Sequence, residues 1–196
     1  MQNYDILRNL LTQSVEPREF LRYCFGIDKL NPEAILSEEI RFGYSTRCIN
    51  LISKLLGMQK KTVREWGDNP NFEGMPQHAR MTCSYASVAL SSEVLKRIAI
   101  EEYAAPKVTA TQFINEMLLN GLSPSERLKQ VSSTKFRGQY LTLLSETLKI
   151  SKRTIYLWGT DIELPKMPKY HQHTLAYALA AYCKKQQETI ANHSAA

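Results

Sequence analysis

The chain has 196 residues, 22% charged and 43% apolar, with a net charge of +6. That length holds two small domains of ordinary globular composition, and it contains no run of about 18 apolar residues to span a bilayer. Four scattered cysteines (Cys24, Cys48, Cys83 and Cys183) form no CxxC pair and no ligand spacing, so they read as buried thiols, not as disulfides or zinc ligands. Residues 1–11 carry Asp5 and Arg8 among their apolar residues and lack a signal-peptide core, which points to a cytoplasmic protein.

Apolar residues recur at helical spacing nearly throughout, and strand-like alternation is absent, so the expected class is all-α. In chain order, a helix is expected over about 17–25. A second is opened by Pro32, where proline costs nothing because a first-turn N–H has no helical partner. A third covers about 46–56, and a tight break leads to a short one at about 60–67, stopped by Gly67. An irregular stretch from Asp68 to Gly74 precedes Met75-Pro76 and a long final helix reaching about Tyr103. The Tyr103–Lys107 segment, with its Ala-Ala-Pro, reads as a junction. The series then repeats: a helix at 110–119, one opened by Pro124, one at 138–148, and a short one at 152–159 stopped by Gly159. An irregular stretch from Thr160 to Lys166 follows, then Met167-Pro168 and a long helix to about Ile190, with residues 192–196 frayed at the end.

The recurrence is visible residue by residue. Residues 47–90 align without a gap on residues 139–182, an offset of 92, with 13 identities in 44 positions concentrated on apolar and turn residues. Leu30, Pro32 and Leu36 face Leu122, Pro124 and Leu128 at the same offset. With one gap, Val15 and Phe20 face Val108 and Phe113. The expected organisation is therefore a tandem duplication of units of about 90 residues, 1–103 and 104–196.

Charge divides unevenly between them. Residues 1–103 hold 13 Lys/Arg against 13 Asp/Glu, and residues 104–196 hold 12 against 6. Locally both units have a basic stretch: five bases and no acid over 47–64, and five bases with Glu146 alone over 135–153. Such clustering suits phosphate neutralisation.

The repeated core carries Ile52, Leu56, Met58, Val63 and Trp66 in one unit and Leu144, Leu148, Ile150, Ile155 and Trp158 in the other. Ser53 and Ser145 supply a small residue where two helices approach. Gly57 suits the turn, whereas Lys149 departs from that preference. With this spacing the helix pairs resemble the helix-turn-helix of the lambda repressor and Cro group. The resemblance covers about 20 residues of each unit strongly and the flanking helices more loosely.

The resemblance implies that the second helix of each pair reads the major groove of DNA. Carried over, the first reading helix presents Gln59, Lys60, Lys61, Thr62 and Arg64, and the second Ser151, Lys152, Arg153, Thr154 and Tyr156. Arg64 and Arg153 then suit bidentate contact with guanine and Gln59 with adenine, while Tyr156 meets a thymine methyl or a phosphate. Lys60 and Lys152 suit phosphates. Ser151 is a base contact or an N-cap, and Thr62 and Thr154 are phosphate donors or helix-start residues.

Trp66, Trp158, Tyr85 and Tyr177 fall at core spacing. His171 and His173 lie two apart on a helix, pointing to different faces, and no acidic or cysteine cluster joins them, so no metal is expected. No nucleophile elbow, P-loop or metalloprotease motif is present, and neither enzymatic activity nor a cofactor is expected. The sequence thus points to a sequence-specific double-stranded DNA-binding protein, a nucleoid-associated transcriptional regulator. In it a duplicated chain acts as a monomeric pseudo-dimer, or as a homodimer, with a possible protein partner in the transcription machinery and no membrane partner. The alternatives are a protein-interaction module of helical repeats, binding polymerase for example, or a plasmid or phage replication or partition accessory.

Overall fold

A computed structural model describes residues 15–67 and 69–194. Residues 1–14, Asp68, Ala195 and Ala196 lie outside it, and with them the expectation for the N-terminal segment and for the last two positions. The described residues are all-helical, without a strand. Helices α1 (Pro17–Phe25), α2 (Pro32–Ile40), α3 (Tyr44–Leu56), α4 (Lys60–Arg64), α5 (Gln77–Ala89) and α6 (Ser92–Ala99) make the first half. Helices α7 (Ala110–Ile114, running on as a π-helical turn Asn115–Leu119), α8 (Pro124–Val131), α9 (Phe136–Leu148), α10 (Lys152–Tyr156) and α11 (Tyr170–Ser194) make the second.

Local chemistry sets the starts. Pro32 follows Asn31, whose Oδ1 accepts the Ala34 N–H at 2.8 Å. Pro124 follows Ser123, which forms a capping box with Glu126. Helices α3 and α9 each span 13 residues and begin 92 positions apart, as do the five-residue α4 and α10.

Between each pair the chain turns in the left-handed region, at Gly57 (φ 63°) and at Lys149 (φ 52°). The Met58 N–H reaches back to the Ser53 carbonyl at 3.0 Å, so the first turn closes in the Schellman manner. Ser53 Oγ donates to the Met58 carbonyl and Ser145 Oγ to the Ile150 carbonyl, both at 2.6 Å. Each serine therefore braces its turn, a role beyond being small. Lys149 adopts a conformation that costs a residue with a Cβ about 1–2 kcal/mol, and this brace and the flanking core hold it there.

The loops after α4 and α10 also match. The Trp66 carbonyl accepts the Gly74 N–H at 2.8 Å, and the Trp158 carbonyl accepts the Lys166 N–H at 3.0 Å. Phe72 (φ 42°) and Leu164 (φ 46°) are buried at equivalent left-handed positions.

The two reading-helix expectations were too long. Both helices end four residues after they begin, at Arg64 and Tyr156, because Trp66 and Trp158 turn inward through 3₁₀-type bonds to Val63 and Ile155. The long helix to Tyr103 is also corrected. It stops at Ala89, Leu90 is extended, and Ser91 caps α6 by accepting the Val94 N–H. The corresponding Tyr182-Cys183-Lys184 offers no such cap, and α11 continues unbroken to Ser194. Helix α6 folds back onto α1 and α3, burying Leu95 and Ile98.

Helices α5 and α11 make the most extensive helix–helix contact in the chain, and each also touches both α3 and α9. Thr82 Oγ1 donates to the His78 carbonyl (2.9 Å) and so accepts from Thr174 Oγ1 (2.8 Å), joining residues 92 apart in sequence. Tyr85 OH donates to the Thr147 carbonyl at 3.2 Å. The buried apolar residues of the two halves form one continuous cluster.

Candidate nucleic-acid interface

Every apolar residue assigned to the helix pairs lies in the core or against it. Ile52, Leu56, Val63, Trp66, Leu144, Leu148, Ile155 and Trp158 are buried, with Met58 and Ile150 half-buried beside them. This packing fixes which face of each short helix meets solvent. Gln59, Lys60, Lys61 and Arg64 are exposed on α4 and its N-cap, and Thr62 is half-buried. Ser151, Lys152, Arg153, Thr154 and Tyr156 are all exposed on α10 and its N-cap. The sequence-assigned residues are thus gathered into two short exposed edges, one in each half.

The two edges differ in detail. Gln59 makes no capping bond, so its amide is free of that duty. Ser151 accepts the Thr154 N–H at 3.1 Å and lies 2.9 Å from Thr154 Oγ1, so its hydroxyl serves the helix start. Among the described residues none of Lys60, Lys61, Arg64, Lys152 and Arg153 enters an ion pair. Elsewhere cations are engaged: Arg18 and Arg22 hold Glu39, and Arg97 holds Glu102. Unpaired cations on an exposed helix are available to an anionic partner.

Sequence reasoning missed two neighbours of the second edge. The Arg137 guanidinium, from the first turn of α9, sits 4.5 Å from the centre of the Tyr156 ring. Its cation orients that ring. Leu157 is exposed beside it. Arg137 belongs to the basic stretch 135–153, but only the fold brings it to Tyr156.

Behind the second edge lies an aromatic group between the halves. The Trp158 ring is 5.0 Å from His171, which is 4.3 Å from Tyr170 and 5.3 Å from His78. Burial, with His78 nearby, pushes the His171 pKa down to about 3, and burial lowers that of His78. His173 is lowered chiefly by burial as well, against the bond from its Nδ1 to the Pro106 carbonyl (2.8 Å). Because a carbonyl has no proton to give, Nδ1 carries the hydrogen and Nε2 is bare.

Folded imidazoles with lowered pKa values favour the fold above the unfolded value of about 6.5 and oppose it as pH falls toward the folded value. Stability should therefore drop from pH 7.5 to pH 5, by up to about 1.4 kcal/mol per pH unit for each such imidazole. Glu39 acts later, since Arg18 and Arg22 hold it at about 2, so its contribution is lost progressively as pH falls from the unfolded carboxylate value of about 4.3 toward the folded one. Urea midpoints at pH 7.5, 6 and 5 check this. Wild-type midpoints that do not move, or a His171→Phe variant that declines as steeply as wild type, would refute it.

Among the described residues no group of three His, Cys, Asp or Glu could hold a metal ion, and no helix is long and apolar enough to cross a membrane. A cleft of 420 Å³ among Phe25, Ile27, Arg47, Lys96 and Ile100 lies in the first half, its Arg47 within 3.9 Å of Glu38. Comparison with protein-family models, with curated proteins and with solved structures returned no match.

Proposed function

We propose that the chain is a sequence-specific double-stranded DNA-binding protein, a transcriptional regulator. On this reading residues 1–103 and 104–196 are two copies of one helix-turn-helix unit acting as an internal pseudo-dimer. The observation that carries it is a matched pair of short helices 92 positions apart. Each follows a serine-braced turn and exposes a basic edge that enters no ion pair among the described residues. A five-residue helix seated on its apolar side suits insertion into the major groove, while the helix before it crosses the backbone. Lys135 and Arg137, at the start of α9, would then meet phosphate. The Thr82–Thr174 hydrogen bond between equivalent positions supports a pseudo-two-fold relation of the units. Because the edges read Gln-Lys-Lys-Thr-Val-Arg and Ser-Lys-Arg-Thr-Ile-Tyr, the target is two related but unequal half-sites, spaced by about 10 bp or a multiple.

Selection of bound sequences from a random duplex pool tests this reading. A split motif supports it, and absence of enrichment overturns it in favour of a protein-interaction role. On the selected duplex, Arg153→Ala should relax preference at one base pair and weaken binding by about 1–3 kcal/mol. Lys152→Ala should weaken all duplexes alike and lower the salt slope by about one. Equal, sequence-independent losses from both variants would make Arg153 a phosphate contact.

A further inference from the structure

Helices α2 and α8 hold equivalent places in the two halves, and neither puts an apolar residue fully into the core. Both display apolar side chains to solvent. On α2 these are Leu36 and Ile40, one turn apart on one face, followed by a fully exposed Phe42. On α8 they are Leu128 and Val131, on one strip with Arg127. Exposed apolar residues gathered in this way mark an interaction surface more often than scattered ones do.

The charges around the two strips are opposite. Around α2, Glu39 is taken up by Arg18 and Arg22 and Glu38 by Arg41 and Arg47, which leaves Asp28 and Glu33 against Lys29. The equivalent residues 120–135 hold three bases (Arg127, Lys129, Lys135) against Glu126. Helix α2 is also held firmly in place. Glu39, its side chain 4% exposed, accepts from Arg18 Nε at 3.1 Å and Arg22 Nε at 2.7 Å. That clamp leaves Glu33 and the apolar strip facing outward.

We infer that these are the two sides of one interface between copies of this chain. The α8 strip of one molecule, Leu128 and Val131 with Arg127 and Lys129, docks on the α2 strip of the next, Leu36, Ile40 and Phe42 with Glu33. The surfaces differ, so the contact is head-to-tail: each docked molecule still offers one free strip of each kind, and association continues into arrays. Small apolar strips with charged rims make a transient contact that is weakened by salt. The inference concerns the protein without DNA and does not depend on the proposed function. On a duplex it would make neighbouring molecules bind cooperatively.

Sedimentation velocity of the full chain, free of DNA, tests it. Wild type should grow beyond dimer as concentration rises toward about 1 mM, the weak end of the affinity scale, and should grow less at high salt. Phe42→Asp and Leu128→Asp, both at exposed positions, should each be monomeric with unchanged circular dichroism and melting. Mixed one to one, they should form a dimer that grows no further, because Phe42→Asp keeps a sound α8 strip and Leu128→Asp a sound α2 strip. A wild-type chain that stays monomeric overturns the inference. So do variants that assemble like wild type, and so does a mixture of monomeric variants that fails to dimerise.

Discussion

Replacing Gly57 by alanine should destabilise the protein by about 3 kcal/mol, from two separable causes. The backbone there has φ 63°, where a Cβ costs about 1–2 kcal/mol. The new Cβ would also lie 2.4 Å from His173 Nε2 and 2.8 Å from its Cδ2, and overpacking of this kind typically costs about 1–3 kcal/mol. The ring cannot swing clear, because it is buried and its Nδ1 is held by the Pro106 carbonyl. His173 sits on α11 and Gly57 in the turn before α4, so the clash would push α4 away from the second half. Urea unfolding of Gly57→Ala in the wild-type and His173→Ala backgrounds separates the causes. In the second background the loss should shrink to the backbone part, about 1–2 kcal/mol. An equal loss in both would show that the contact with His173 is not responsible.

The same pair of turns shows how far the sequence could be read. Periodicity located α3, α4, α9 and α10 because their apolar positions must face a common core, and all of those positions are buried or half-buried. Gly57 looked like the proper turn residue and Lys149 like a departure, yet both adopt the left-handed conformation. The turn is imposed by the packing of its flanking helices and the serine brace, not by glycine alone. Phe72 and Leu164 carry no signal of their left-handed backbone, since burying a large apolar side chain contributes about 1.5–3 kcal/mol and outweighs the strain. The break at Leu90 was hidden because apolar spacing runs through it. Only the Ser91 cap, absent from the matching position, distinguishes α5 from α11.

For the candidate interface, exposure followed from the core pattern, so its residues could be named from spacing. Contacts between distant segments could not. Nothing in the sequence places Arg137 on Tyr156, His78 beside His171, or His173 over Gly57. His171 and His173, two apart on α11, do point to different neighbours, as helical geometry requires. One meets Trp158 and the other the chain at Pro106. Opposite charge on α2 and α8 was present in the sequence, but its meaning depends on both helices lying outside the core.

Trp158→Ala should cost about 3–5 kcal/mol, the usual range for truncating a buried aromatic residue. The indole is 8% exposed and lies against His171, while its carbonyl closes the loop by accepting from Lys166. The variant keeps that backbone bond and loses the ring, so a cavity opens under α10 and next to the His171 imidazole. Water entering there would relieve the burial that keeps His171 uncharged, and its pKa should climb back toward about 6.5. The variant should therefore be less stable at neutral pH and also lose less further stability between pH 7.5 and 5 than wild type. Trp66→Ala serves as the control: it removes the indole at the matching position of the first half, where Ala79 occupies the position that His171 holds in the second. It should lower stability without flattening the pH dependence. Urea unfolding of all three proteins across that pH range checks both parts. If Trp158→Ala keeps wild-type stability but loses duplex binding, the ring touches DNA and its core role is wrong. If its stability falls as steeply with acid as wild type's, the indole does not keep water from His171.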